Sequence, residues 1–397
     1  MTRPHILFHR PTPWFSAIQC STKTLARLFC EAGCDVTYLP APLDLGHVLR
    51  PRAPLADWRA GVRMDGGVRV LAPATPVPVR DIWPLDTATA AGLRYRAAWP
   101  PLRSAVADGG RQPPDVVWTT VPGSGPALRT LFPEARLIFH VVDYYPAFRG
   151  PAVAELERRD YAAADQVLLI GESLRGHVVE IAGASPEKVS VLGQGVDLER
   201  YEGPAPAPDD LAALPRPRAV WSGVLAKGDP GLFDRAADAM RACRGSLALI
   251  GPTAAWAVAL AKRAPETVAL LGPRPAFELP AYLLNCDLGL MLYARSRAAV
   301  YRGQNPLKLY EYAAAGLPIL STPHDEFAHL APPVLEIGDE AAVAPAVREA
   351  LARADGLRSA SRAFAARHSW RSKVAAMRMT LFESAGLDPE PRRSPAA

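Results

Sequence analysis

The stretch from Asn305 to Pro318, NPLKLYEYAAAGLP, gathers groups that could hold a nucleoside diphosphate. Asn305 reads as an N-cap and Pro306 as the first helical position, and Gly316 closes the helix just before a short apolar strand. A helix start offers unpaired N–H groups and the positive end of the helix dipole, where an anion can sit. Lys308 adds a full positive charge within the first turn. Glu311, three residues further along the same face, could accept hydrogen bonds from two sugar hydroxyls. Taken alone, the two residues also fit an exposed Lys–Glu pair on an ordinary surface helix.

A second candidate is a carboxylate at a strand end. Leu137 to Asp143 reads as a strand whose last residue lies at the carboxyl edge of its sheet, where α/β folds bind ligands. Asp143 could take a proton from an attacking hydroxyl there, or simply cap the next turn. His9, Arg10, Trp14 and Phe15 follow the first strand and should line the same side as an acceptor-facing loop. His5 and His9 share a strand face without partners at metal-ligand spacing. No D-x-D pair ends a strand, since Asp209-Asp210 falls in a proline-rich stretch. Charge on a bound anion could then be met by Lys308, helix dipoles and one or more of Lys227, Arg274 and Arg302.

These groups need a scaffold, and 397 residues suit two domains with a cleft between them. A net charge of +5 excludes wholesale nucleic-acid binding. The 5 cysteines contain no C-x-x-C pair, which fits a reducing compartment without a disulfide framework or a zinc ribbon. The N-terminus lacks the apolar core of a signal peptide, and nothing approaches the roughly 18 apolar residues of a membrane span. The expectation is a cytoplasmic protein, free or peripheral on the inner face of the membrane.

Apolar runs alternate with helical patterns along most of the chain, the signature of parallel α/β architecture. Strands are expected at His5 to Arg10, Val36 to Pro40, Val68 to Ala72, Val116 to Thr120, Leu137 to Asp143, Val167 to Gly171 and Val189 to Leu192. A second series runs through Ala219 to Val224, Leu247 to Gly251, Val268 to Gly272, Leu288 to Tyr293, Ile319 to Thr322 and Val334 to Ile337. Between them, Tyr201 to Arg218 holds five prolines and reads as a linker. The domain expectation is therefore 1–200, a linker 201–218, a second domain 219–360, and a helix over Ser361 to Glu383 within 361–385. Residues Arg50 to Arg111 intersperse arginines with Trp58, Trp83 and Trp99, a composition that suits either a solvated face or an anionic membrane surface.

Several segments in order resemble GT-B glycosyltransferases, built from two Rossmann-like domains with a C-terminal helix crossing back to the first. Gly193 to Tyr201, GQGVDLERY, resembles the interdomain N-G-V-D-x-x-x-F element, with Gln194 replacing Asn. Ser222-Gly223 to Gly228 resembles the glycine turn after the first strand of the nucleotide domain. Leu271 to Arg274, Glu278 to Tyr282 and Cys286 to Tyr293 resemble the base-proximal loop, helix and strand. Asn305 to Thr322 is the strongest match, and His368-Ser369-Trp370 resembles the start of the crossing helix.

Within that fold the chain is similar to family-4-like bacterial polysaccharide and teichuronic acid transferases and to the glucuronosyltransferase of xanthan assembly. The resemblance implies a metal-independent hexosyltransferase that moves a sugar from a nucleotide sugar, a UDP-sugar by preference, to a saccharide or polyprenyl-linked acceptor in envelope or exopolysaccharide synthesis. Gly223, Lys227, Arg274, Arg302, Asn305, Lys308 and Glu311 would bind the donor; Asp143 matches the base of the xanthan-type enzyme. The family-4 glutamate eight positions before Glu311 is Gly303 here, which leaves inverting and retaining chemistry both open. Two alternatives remain: a UDP-sugar 2-epimerase, and a GT-B subunit that binds nucleotide without catalysis.

Overall fold

The computed structural model describes residues 3–16, 20–44, 55–78, 84–85, 87–301 and 303–382. Arg50, Arg52, Arg80, Trp83 and Arg302 lie outside the described residues. The chain divides into two compact units, one of residues up to Gly193 together with those from Arg371 on, the other Gln194–Trp370.

The first unit is built on an eight-stranded sheet. In chain order its strands are β1 (His5–Arg10), β2 (Asp35–Pro40), β3 (Leu43–Asp44), β4 (Arg63–Asp65), β5 (Val68–Val70), β6 (Ala74–Thr75), β7 (Val116–Thr119), β8 (Arg136–Val141), β9 (Gln166–Leu169) and β10 (Val189–Val191). The sheet order is β10-β9-β8-β7-β1-β2-β5-β4, with β3 and β6 forming a separate pair. All neighbours in the large sheet run parallel except the β4–β5 edge pair. Strands β1, β7 and β8 carry continuous apolar runs because helices cover both faces; Ile6, Leu7, Phe8, Val117, Trp118, Ile138 and Phe139 are fully buried.

The second unit holds β11 (Arg218–Ser222), β12 (Ser246–Ile250), β13 (Val268–Gly272), β14 (Leu288–Met291), β15 (Ile319–Ser321) and β16 (Val334–Glu336). They pair in parallel in the order β13-β12-β11-β14-β15-β16. Counted within the unit this is 3-2-1-4-5-6, the doubly wound Rossmann order, whose direction reverses between β11 and β14. Gly251, just past β12, packs against the turn after β11: a Cβ on it would lie 1.9 Å from the carbonyl oxygen of Gly223. Its φ of +139° also disfavours any side chain.

Three details differ from the sequence expectation. The proline-rich residues 201–218 are part of the second unit: Leu211, in a short helix over Asp209–Ala212, is fully buried in that unit's core. The expected helix from Ser361 is two helices, Ala354–Ala366 and Trp370–Phe382. The break has a backbone cause, because Val196 N donates to His368 O at 3.0 Å and Val196 O accepts from Trp370 N at 3.0 Å. The helix expected to start at Pro306 runs over Leu307–Ala314 with Pro306 at the cap position.

Candidate functional site

In a doubly wound sheet, neighbouring strands whose connections leave in opposite directions open a crevice at their carboxyl ends. In the second unit that point lies between β11, which ends at Ser222, and β14, which ends at Met291. The helix Leu307–Ala314 is fixed there by its own side chains. Tyr312 Oη accepts from Ser222 N at 2.8 Å, and its ring packs so closely on β14 that a Cβ on Gly289 would come within 2.5 Å of it.

Lys308, in the first turn of this helix, is 9% exposed. Its Nζ sits 3.2 Å from the centroid of the Trp221 ring and 4.8 Å from that of Tyr293, a cation–π bed made by the penultimate residue of β11 and the second residue after β14. Trp221 Nε1 donates to Gly223 O at 3.3 Å, and a Cβ on Gly223 would lie 3.6 Å from Lys308 Nζ. Burial and, next, the charge of Lys227 hold the Lys308 ammonium well below the ordinary lysine range, while Glu311 acts in the opposite direction. Burial likewise raises the Glu311 carboxyl, against the charges of Arg200 and Lys308. Among the described residues Lys308 has no carboxylate at ion-pair distance, so a desolvated amino group whose charged form burial disfavours stands at the switch point beside a turn whose own residue has no side chain.

Of the other residues anticipated for a donor, Lys227 and Gly223 belong to this cluster. Asn305 is buried, and its Oδ1 accepts from Tyr310 Oη at 3.0 Å, anchoring the approach to the helix. Arg274 is elsewhere: it follows β13, the sheet edge, and is engaged by Asp210, whose carboxylate also accepts from Tyr282 Oη at 3.0 Å. The signal missed in the sequence was the pair Trp221 and Tyr293. Each is an aromatic residue at the carboxyl end of a strand, and only the adjacency of β11 and β14 shows that they share a face. His324 was missed as well. It is buried, pushed down to about 4 chiefly by burial, and its Nδ1 meets Tyr301 O at 2.8 Å.

In the first unit the direction reverses between β1 and β7. His9, at the end of β1, is fully buried, with Nδ1 2.9 Å from Thr119 Oγ1 and Nε2 3.2 Å from Tyr95 Oη. Burial pushes it down to about 3, so it is a neutral anchor. Arg10 is half-buried and donates to Thr12 and Thr22. Trp14 is buried and donates to Asp65 Oδ2 at 2.7 Å, whereas Phe15 is exposed under the Arg63 guanidinium at 3.5 Å.

Asp143 lies two residues past the end of β8 and is half-buried. The neighbouring loops are held from one helix, Val153–Ala163. Its Asp160 accepts from Gly123 N at 2.6 Å and Gly125 N at 2.7 Å, pinning the turn after β7. Its Glu157, fully buried, accepts from Tyr161 Oη at 2.8 Å and meets His177 Nε2 at 3.0 Å. The His177 ring in turn packs edge-on against Tyr144, next to Asp143, at 4.9 Å.

Residues 18–195 match the family described as Glycosyl transferase 4-like domain. Among curated proteins the chain is 28% identical over 225 residues to TuaH of Bacillus subtilis (strain 168), described as a teichuronic acid biosynthesis glycosyltransferase. That match covers 52% of this chain and 55% of TuaH, so the chain spans about half the length of the curated relative it matches. Solved structures share the fold across nearly the whole chain. Sucrose-phosphate synthase from Thermosynechococcus elongatus superposes with a TM-score of 0.69 at 15% identity, covering 97% of this chain and 99% of that one. HepE of Anabaena in complex with UDP-glucose gives 0.62 at 13%, covering 96% and 99%. The trehalose-6-phosphate synthase OtsA gives 0.65 at 13%, covering 95% and 98%.

Proposed function

From a chain that has the GT-B fold and a glycosyl transferase 4-like domain over residues 18–195, we propose a glycosyltransferase that uses a nucleotide sugar. The observation that carries the reading is Lys308, a buried amino group without an ion-pair partner among the described residues, at the switch point of the second unit, where an anion would favour its charged form. A diphosphate supplies the charge this position lacks, and a bound UDP-sugar places it there. Glu311 then takes the ribose hydroxyls, with Lys227 adding charge and Gly223 leaving room for the phosphates. HepE, which shares the fold, has been solved with UDP-glucose.

The acceptor role falls to the first unit. The acceptor hydroxyl oxygen forms a bond to the anomeric carbon as the bond from that carbon to the diphosphate oxygen breaks. The electron pair leaves with UDP, whose charge Lys308 meets. In an inverting reaction Asp143 takes the hydroxyl proton; in a retaining one it orients the acceptor and the departing diphosphate oxygen takes the proton. The acceptor in this reading is an envelope saccharide or a polyprenyl-linked saccharide, and the likeness to TuaH, whose description names teichuronic acid biosynthesis, supports a bacterial saccharide. No divalent ion enters this reading. Among the described residues no helix is long and apolar enough to cross a membrane, and a peripheral place on the inner membrane face belongs to the same proposal.

The test is a thermal-shift screen over nucleotides and nucleotide sugars followed by transfer to saccharide acceptors. Stabilisation by UDP-sugars and acceptor-dependent UDP release support the reading. Turnover of the donor sugar without acceptor would show the epimerase, and binding without turnover under any pairing would show the non-catalytic subunit. No stabilisation by any nucleotide overturns the donor site itself.

A further inference from the structure

The two tyrosines that follow Asp143 are tied to different supports. Tyr145 is buried, and its Oη donates to Thr120 O at 3.0 Å, just past the end of β7. Tyr144 is half-buried, and its ring meets the His177 ring edge-on, with centroids 4.9 Å apart and planes at 82°. Tyr144 O accepts from Ala147 N at 3.1 Å and Tyr145 O from Phe148 N at 3.0 Å, so the chain turns as it leaves Asp143.

His177 is itself held. Its Nε2 lies 3.1 Å from Glu157 Oε1 and 3.0 Å from Oε2, and Tyr161 Oη donates to Glu157 Oε1 at 2.8 Å. Glu157 is fully buried, yet among the described residues no arginine or lysine stands at ion-pair distance from it. A buried carboxylate is costly to desolvate, and an apolar pair would fill the same space. What the hydrogen bonds add is direction: they fix the plane of the imidazole, which a hydrocarbon contact alone leaves free to turn. His177 Nδ1 is buried without a hydrogen bond among the described residues, so Glu157 and the Tyr144 ring set its orientation between them. His177 also begins a π-helical turn, closed by Ala182 N donating to His177 O at 2.9 Å, a rare distortion that is frequent at functional sites.

We propose that His177 is a positioning residue for sugar transfer: held by Glu157, its ring sets Tyr144 and thereby the place of the Asp143 carboxylate against the acceptor hydroxyl. This rests on the glycosyltransferase reading and on the role given to Asp143 above, and it adds residues that act through Asp143 without touching substrate. A displacement of about 1 Å in a reacting group lowers turnover about 10²-fold. Loosening Tyr144 should therefore lower kcat while donor binding, which belongs to the second unit, stays as it was.

The experiment measures UDP release from UDP-glucose by the full chain and its variants, with melting temperature as the check on folding. Amide exchange of Ala147 and Phe148 reads the turn directly. His177→Gln keeps an N–H for Glu157 but loses the ring, and Tyr144→Leu loses the partner ring. Each should lower kcat about 10- to 100-fold and change KM for UDP-glucose less than about threefold. Exchange at both amides should quicken at least about tenfold. The double variant should be no slower than the slower single one, because both act through one contact. Tyr144→Phe, which keeps the ring, should restore what Tyr144→Leu loses. Tyr144 is half-buried, so Tyr144→Leu carries the test should His177→Gln not fold. A kcat within about threefold of wild type in the folded single variants overturns the proposal. So does a change in KM alone, a pair of losses that multiply in the double variant, or unchanged exchange at both amides. Quickened exchange in variants of a protein that releases UDP from no nucleotide sugar would support the placement of this segment by His177 and overturn the glycosyltransferase reading alone.

Discussion

Replacing Lys308 by Met should make the empty protein more stable and less able to bind nucleotide. Lys308 is depressed below the unfolded lysine value, so between the folded and unfolded values the unfolded chain binds more protons. Stability is lowest below the folded value, where both states are charged, and returns as pH rises through the window toward the unfolded value. Met keeps the length and meets Trp221 and Tyr293 with a thioether, removing that cost. Even a paired buried ion can be replaced by a well-packed apolar group with a change from neutral to about 1–4 kcal/mol of stabilisation, and Lys308 has no ion-pair partner among the described residues. Nucleotide binding moves the other way. A charged hydrogen bond contributes about 1.5–3 kcal/mol, so loss of the ammonium should weaken UDP about 10- to 100-fold. With UDP at 100 times the wild-type dissociation constant, stabilisation of about 2.7 kcal/mol falls to about 0.4 kcal/mol for a 100-fold loss. In a thermal-shift assay that is about 5–10 °C of UDP-induced shift reduced to about 1–2 °C, and transfer should fall by about 10²- to 10³-fold. A folded variant with a full UDP shift, or an empty variant that melts more than about 5 °C below wild type, would refute the reasoning.

We expect Asp143→Asn to lower turnover by about 10²- to 10⁴-fold with UDP affinity unchanged if the reaction inverts; normal turnover in steady-state kinetics would remove Asp143 from proton transfer. Transfer should survive EDTA, since Lys308 and Lys227 supply the cationic charge; loss that Mg²⁺ or Mn²⁺ restores would contradict this. His177→Ala leaves the fully buried Glu157 without its imidazole and should cost about 3–5 kcal/mol in urea unfolding, with a loss under 1 kcal/mol counting against the packing account. Burial holds His9 and His140 down at about 3. The unfolded chain takes up protons below about 6.5, so each contributes stability that is present above that pH and is lost toward about 3, near 2 kcal/mol at pH 5. Because both ring nitrogens of His140 are buried without hydrogen bonds among the described residues, His140→Phe should remove its share of the acid sensitivity; an unchanged pH slope of the urea midpoint would show that it does not titrate on unfolding.

The long strands were legible because they are buried on both faces and read as apolar runs. Their ends were overread by a residue or two where apolar composition continues past the last ladder bond, as at Leu137 to Asp143 against β8 at Arg136–Val141. Strands β3, β4 and β6, two or three residues long, carry too few side chains to show a period. Lys308 was legible from the Asn-Pro helix start. Its bed was not, because Trp221 and Tyr293 meet only through pairing of strands remote in sequence. Arg274 shows the converse: it was expected at the donor, and the acid that engages it, Asp210, stood in a stretch read as linker. The helix break at His368 was hidden because backbone groups of Val196 cause it, and these leave no mark in composition.

The contact between Gly223 and Gly251 places the rim beside Lys308 outside the reach of ordinary sequence drift. With 1.9 Å between a would-be Cβ and a carbonyl oxygen, even alanine at 251 must displace the neighbouring turn, so there is no graded series of substitutions at that position. The rim is main chain, and its shape follows from the register of β11 on β12, which side-chain replacement on the surface leaves untouched. Under the donor role proposed for Lys308, adaptation toward a different sugar would proceed through residues around this rim while the rim stays constant. The chain thus carries a fixed datum against which a variable specificity can be adjusted.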